Sequence, residues 1–428
     1  MFISNANRSP RASSWLRISR PSSVATLLLT VLLTAAAACG QGLPKKDLPK
    51  KDATKNAFLM HRGDLHNTGQ SPSATDAVEG KVEWTFTVAS QVAVSPLSEG
   101  NIVYFADTLS KIYAVDIEKQ EILWQTKPRA ARAKTMIKGA GPKKVDMTNP
   151  VSRNLADQSF EFSAPVIAGD RLIGATRQGT FFAVDKKTGE ILWEKDLGAE
   201  IYSSMRYADG KILFGTLDKY YYAVDPADGS IIWKYECGDI VGSTPAISVR
   251  GRKIYLLCYD KNLHIINLKT GKGIEVIRIG YRSNSSVLLA EGCLFFTATG
   301  HKFICFDLYE KNKRWEHDSV TLTQHGIGYQ RGKGVIFITL SNRFRCYRIG
   351  DGGLVWEIVM RDKSGNSPCI GKELVYSVDN SGKIYAANMK TGKEIWTQSM
   401  EKASSAAPIL VNGRLIVCDA KGRIYVLK

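Results

Sequence analysis

Residues 181–198 read FFAVDKKTGEILWEKDLG, and residues 221–238 read YYAVDPADGSIIWKYECG. The two phrases share one layout at a spacing of 40 residues. Each opens with an aromatic and β-branched run, breaks at a polar turn containing Gly, and resumes with an apolar run that reaches Trp. Short apolar runs separated by Gly, Asn and Asp turns are the pattern of β-hairpins. The Asp carboxylate can accept turn N–H groups, and the Gly can adopt the positive φ that closes the hairpin. IYAVDIEKQEILWQ (112–125) and IYAANMKTGKEIWTQ (384–398) repeat the phrase.

Counting outward from these copies sets the architecture. The Trp position recurs at Trp84, Trp124, Trp193, Trp233, Trp315, Trp356 and Trp396, with Glu275 in the remaining place. Every step is 40–42 residues except one of 69, which is a period plus a 29-residue insertion. The Asp116 position recurs as Asp185, Asp225, Asn267, Asp307, Arg348, Asn388 and Lys428, again eight copies. In one copy GSTPAISV, KIYLLCYD, NLHIINL and GIEVIRI (242–279) read as four strands. Four strands per 40-residue unit is the arithmetic of a β-propeller. The expected fold is therefore all-β: an eight-bladed propeller of four-stranded antiparallel blades over residues 58–428. The last copy stops at its third strand, GRIYVLK (422–428), while KVEWTFTV (81–88) is an orphan fourth strand. Pairing the two closes the ring and leaves no open edge. An open solenoid would instead need polar caps at both ends.

The full pattern is met by Ala183, Asp185, Thr188, Gly189 and Trp193. A Trp here can lay its ring against the next blade and donate its indole N–H to a carbonyl. Trp84, Trp124, Trp193, Trp233, Trp315, Trp356 and Trp396 are accordingly expected to be structural docking residues. One Asp per blade at the same turn does not converge on a metal. First strands open on small residues, among them Ser95 and Pro96, Ser163 to Pro165, Ser243 to Pro245, Ser367 and Pro368, and Ser405 to Pro408. That composition suits the crowded axis of a propeller.

The N-terminus has a different grammar. Four Arg precede the apolar run VATLLLTVLLTAAAA (24–38), which abuts Cys39. A basic start, a short apolar stretch and small residues at a cleavage point make an export signal. The run is shorter than the ~20 residues of a membrane span. Residues 39–57 hold two copies of LPKKD and read as a solvated, basic tether.

Net charge is +17, which raises the question of nucleic acid. The charge is local: four Arg and no acid in 1–38, five Lys against two Asp in 40–57, and eight basic residues against two Asp in 127–160. The remaining body is nearly balanced, so no nucleic-acid partner is expected. The segment 127–160, between the first and second blades, is a candidate contact loop through Lys134, Lys138, Lys143 and Lys144. Beyond Cys39 seven Cys remain, with no CxxC and no adjacent pair. Several sit in apolar runs, so they read as buried thiols. His61, His66, His264, His301, His317 and His325 are scattered, without metal-ligand spacing. His317 and His325 read as flanking a solvated connection. No catalytic residue, metal ligand or cofactor-binding residue is assigned.

These features carry a resemblance. Ala36–Ala38 before Cys39 are similar to the lipobox of bacterial lipoproteins, which implies cleavage before Cys39 and its acylation. Residues 1–38 would then be the signal peptide. Gly40 after the Cys, where an Asp would imply inner-membrane retention, implies the outer membrane. From Phe58 to Lys428 the chain resembles the PQQ-like repeat propellers, and HRGDLHNTGQS (61–71) looks like their lead-in. One branch is enzymatic, with quinone, calcium and in many members a vicinal disulfide. The other is non-catalytic and includes the BamB family of outer-membrane lipoproteins, which the ending GRLIVCDAKGRIYVLK (413–428) resembles. That family carries an acidic pair in one partner-binding loop; here the matching stretch is GYRSNSSV (280–287), with Arg282 and Asn284. The resemblance implies a non-enzymatic, lipid-anchored, periplasm-facing scaffold, monomeric within a complex, with no cofactor and a β-barrel assembly protein as partner. A ligand-sensing propeller with a molecule in its axial channel and a quinoprotein dehydrogenase are the rival expectations.

Overall fold

The hairpins expected from the repeat assemble into blades in the computed structural model. It describes residues 57–73, 75–92, 94–109, 111–128, 162–176, 179–318, 326–364, 366–401, 403 and 406–428. Cys39, Lys134, Lys138, Lys143, Lys144 and His325 lie outside the described residues. Among those described, every regular element is a strand, and the strands form eight sheets. No helix there is long and apolar enough to cross a membrane. The third blade is typical: Arg206–Ala208, Lys211–Gly215, Tyr220–Val224 and Ile231–Glu236 pair antiparallel in chain order from the axis outward.

The eighth sheet is built from both ends of the chain. Ile409–Val411, Arg414–Cys418 and Arg423–Leu427 are completed by Val82–Thr87, with Trp84 opposite Val426. Lys81 and Lys428 exchange two backbone hydrogen bonds at 3.0 and 3.2 Å. The ring is thus closed by the N-terminal Trp strand. The first sheet departs from four strands, because Ala57–Phe58 adds a fifth on its inner edge.

Hydrophobic packing follows the ring. The buried apolar side chains fall into eight clusters, and each bridges one pair of neighbouring blades. Phe105, Tyr113 and Val115 of blade 1 meet Ile409, Ile416 and Ile424 of blade 8 in one of them. The seam between the chain's ends is therefore packed like every other.

Trp geometry explains the turn chemistry. Trp124, Trp193, Trp315 and Trp356 donate Nε1–H to carbonyls of Lys186, Pro226, Ile349 and Met389 in the following blade, at 2.8–3.2 Å. Trp396 faces the blade whose third strand is Arg423–Leu427, and it bonds instead to Ala77 of the lead-in at 2.9 Å. The Trp233 nitrogen is buried without a partner. Each of these six rings lies on a Gly at the next hairpin position, while the hairpin that follows Trp84 carries Gln120 there at φ 61. A Cβ on Gly271 would sit 2.4 Å from Trp233, and one on Gly80 2.5 Å from Trp396. Gly80 thus stands in for the hairpin glycine that the last blade lacks. Where Trp is replaced by Glu275, the Gly is replaced too: Lys311 occupies its place at φ 52 and pairs with Glu275 at 2.5 Å.

The sequence pattern did not disclose one regularity. In all eight outer strands the register slips immediately before the Trp position. Such a bulge inserts one unpaired residue and re-aims the next side chain. It explains why Ile-Leu, Ile-Ile and Leu-Val pairs precede the Trp where strict alternation would put a polar residue.

Candidate functional site

The lead-in decides what the axis can hold. Phe58 pairs with Ser98 on the inner strand of blade 1, and the Leu59 carbonyl accepts Ile167 N–H in blade 2 at 2.8 Å. The carbonyls of Leu65, His66, Thr68 and Gly69 accept N–H groups of Ile247, Leu289, Tyr329 and Ile370, in blades 4 to 7, at 2.7–3.0 Å. Blade 3 contributes Arg206, which donates to the carbonyls of His61, at 2.6 Å, and Asp64. Blade 8 receives the Ser71 hydroxyl at the Leu410 carbonyl, at 2.6 Å. Residues 58–71 therefore bond to the innermost strand of every blade in turn, and the chain's own backbone fills that part of the axis.

Most polar groups of this plug are consumed internally, although Arg62 Nε, Asn67 Oδ1 and Arg206 Nε are buried without a partner. Arg62 is buried and donates to Ile327 O and Pro368 O, in blades on the far side of the ring. Burial pulls Arg62 and Arg206 down to about 10, so both stay cationic at neutral pH. The Asp64 carboxylate accepts from His66 N, Thr68 N and Thr68 Oγ1 at 2.8–3.1 Å. Asn67 Nδ2 donates to Val287 O and Pro245 O at 2.6 and 3.0 Å. The Arg62-Gly63-Asp64 triplet is thus part of an interior network.

His61 gives the plug a pH signature. Burial, with Arg62 and Arg206 beside it, pushes its imidazole down to about 3, and its Nδ1 is buried and unpartnered. An unfolded His titrates near 6.5. Below that value the unfolded chain binds a proton that the folded chain refuses. This contribution is complete above pH ~6.5 and is lost as pH falls towards 3, at about 1.4 kcal/mol per pH unit. Urea midpoints between pH 7.5 and 5 should drop in the parent and drop measurably less in His61→Asn. Equal slopes in the two proteins would exclude His61 as the source.

The remaining expected positions are placed as follows. His317 is not in a solvated connection: its ring stacks on Tyr347 at 4.6 Å and its Nε2 lies 2.7 Å from Gly352 O. The aromatic neighbour from the next blade supplies the packing that loop composition did not reveal. Asn284 bonds to the Tyr259 hydroxyl. All seven described Cys are buried and unbridged.

With this geometry established, comparison with known proteins places the chain. Residues 67–151, 145–356 and 340–428 match the family described as outer membrane protein assembly factor BamB. The chain belongs to that family. Its similarity to BamB of Yersinia pestis is 20% identity over 80% of this chain and 77% of that protein. For BamB of Bordetella pertussis it is 22% over 62% and 72%. A quinohemoprotein alcohol dehydrogenase of Pseudomonas putida matches at 22% over 44% of this chain but 26% of its own length. Among solved structures, BamB from Moraxella catarrhalis superposes with TM-score 0.61 at 13% identity, covering 81% of this chain and 97% of that one. A europium-containing methanol dehydrogenase superposes with TM-score 0.70 at 13% identity, covering 87% and 98%. The structural likenesses establish the shared propeller, for the BamB family and the quinoproteins alike.

Whether a quinone and calcium would fit is a question for the residues. The Ser163, Ser243 and Ser283 hydroxyls beside the axis donate to carbonyls of Ser203, Leu257 and Thr297 at 2.5–2.7 Å. Among the described residues no group of carboxylates converges as a hard cation requires. The plug brings one carboxylate to the axis, Asp64, and its oxygens are already bonded to His66 and Thr68. These residues do not fit the pair.

A different cluster does form, and spacing along the chain did not reveal it. Cys237, Cys258 and His264 are buried, with their ligand atoms within 4.8 Å of one another. His264 Nε2 lies 2.9 Å from Asp260 Oδ2, and Nδ1 lies 3.0 Å from the Tyr235 hydroxyl. The hydrogen bond between the two thiols lowers Cys258, against burial and with help from His264, and the same bond, with burial, raises Cys237. The cluster spans the interface of blades 3 and 4, so its members come from two repeats. Aligning the repeat copies position by position would have exposed it.

Proposed function

We propose that this protein is a non-catalytic, lipid-anchored scaffold at the outer membrane that takes part in assembling outer-membrane β-barrel proteins. The observation that carries the reading is the BamB family match running from residue 67 to 428. The run at 24–38 followed by Cys39 would supply the anchor, and a lead-in bonded to every inner strand favours a non-catalytic ring. A rigid ring with its core in the blade interfaces leaves two loop-rich faces for partners. The basic segment 127–160 is the contact element this reading favours, since its Lys cluster can steer an acidic protein surface.

Cys39→Ser tests the anchor. The reading expects the variant to leave the outer-membrane fraction and to lose the partners that the parent captures by cross-linking in intact membranes. A variant that fractionates and cross-links like the parent would refute it. The enzymatic reading is tested alongside, by adding pyrroloquinoline quinone and calcium to the purified chain and looking for a retained chromophore. Stoichiometric retention would favour a dehydrogenase.

A further inference from the structure

The eight blades supply internal controls for the Cys237, Cys258 and His264 cluster. Three positions meet at the edge of five of the blade interfaces, and backbone hydrogen bonds define them. The first follows the outer strand of one blade: Cys237, whose N–H reaches Lys219 O, matches Leu197, Val88, Met360 and Met400. The second opens the turn between the second and third strands of the next blade: Cys258 matches Thr216, Asp107, Asp379 and Asp419, each bonded from its N–H to the carbonyl four residues on. The third lies six residues after the second: His264 matches Tyr222, Tyr113, Tyr385 and Tyr425.

At these four interfaces the positions make an apolar contact beside a carboxylate–phenol bond, whereas the interface of blades 4 and 5 carries Ile279, Ala298 and Ile304 there. Tyr113, Tyr385 and Tyr425 hydroxyls bond to Asp107, Asp379 and Asp419 at 2.9–3.3 Å, and Tyr222 bonds to Asp218 at 2.7 Å. Between blades 3 and 4 all three positions change together. An aliphatic or thioether side chain, an oxygen side chain and a phenol become thiol, thiol and imidazole. Asp260 keeps the carboxylate of its counterpart Asp218 and turns it on the imidazole instead of a phenol.

We propose that Cys237, Cys258 and His264 form a binding site for a zinc(II) ion. Two thiolates and an imidazole suit a borderline-soft d¹⁰ cation. A tetrahedral zinc with bonds of about 2.0–2.3 Å separates its ligands by about 3.3–3.8 Å, so the donors need to close by less than about 1.5 Å. Asp260 on Nε2 is the partner that orients a ligating His; Nδ1 then faces the ion once the Tyr235 hydroxyl yields. Both thiols lose their protons to solvent on binding, including the one Cys258 now shares with Asp239 O and Ile240 O. An organic substrate is excluded by the burial of all three side chains, whereas a bare ion needs only their atoms.

The full chain, stripped with chelator and reductant, would be titrated with zinc against a colorimetric chelator and with cobalt as a spectroscopic probe. The expected result is one ion per chain, a thiolate-to-cobalt charge-transfer band and a rise in melting temperature with zinc. Asp260→Asn should weaken binding about 10–100-fold. The decisive variant is the triple change Cys237→Leu, Cys258→Thr and His264→Tyr, which installs the residues of the blade 2–3 interface. It should remain folded by circular dichroism and bind no ion. Zinc binding retained by that variant, or no saturable binding by the parent, would overturn the proposal. So would a Cys237–Cys258 disulfide in metal-free protein isolated under alkylation.

Discussion

A chain lacking residues 57–88 should not unfold cooperatively. The deletion removes the strand Val82–Thr87, the rings of Trp84 and Phe86 packed at the blade 8–1 seam, and the plug that bonds to all eight inner strands. Two large aromatic side chains at roughly 2 kcal/mol each and some ten hydrogen bonds at about 1 kcal/mol each are on the order of 10 kcal/mol. That equals the whole stability of a typical domain. It also leaves the Arg423–Leu427 edge unpaired, a template for aggregation. Thermal unfolding by circular dichroism, with size exclusion for aggregates, checks the outcome. A truncated chain that melts as sharply as the parent, at the same temperature, would mean that the ring is held by other contacts.

Replacing Gly271 with Ala should cost about 3 kcal/mol, because two effects add. The residue sits at φ 70, where an L side chain loses roughly 1–2 kcal/mol. The new Cβ also lands 2.4 Å from the Trp233 ring, and overpacking a filled site costs typically 1–3 kcal/mol. Gly280 is the control: its φ is 83, but nothing lies within 4 Å of a Cβ there. Gly280→Ala should lose the backbone share alone. Urea midpoints of the two variants separate docking from turn geometry, and equal losses would remove the ring contact from the explanation.

The ring was legible in the sequence because its repeat is short, local and copied eight times. Trp and Asp positions at steps of 40 fixed the blades, and the orphan strand at 81–88 fixed the closure. What escaped depends on contacts between repeats. The bulge before each Trp is a matter of pairing register. The course of HRGDLHNTGQS through the axis depends on inner strands that lie up to about 340 residues further along the chain. His317 read as a loop residue because Tyr347, which stacks on it, belongs to another blade. Cys237 and His264 stand 27 residues apart in two repeats, so no local motif joins them.

The seam in the last blade also dictates an order of events. Synthesis delivers Thr87 long before Arg423, its partner in the sheet, which lies 336 residues further along the chain. Joining ends that far apart costs about 5 kcal/mol in chain entropy, against only about 0.6 kcal/mol more for each doubling of length. Adjacent blades can stack as they emerge, since each meets its neighbour within one repeat. The opening strand has to wait, and so does the first blade's outward face. Until the final strand arrives the molecule is an arc with two sticky ends, and a latch thrown last turns it into a ring.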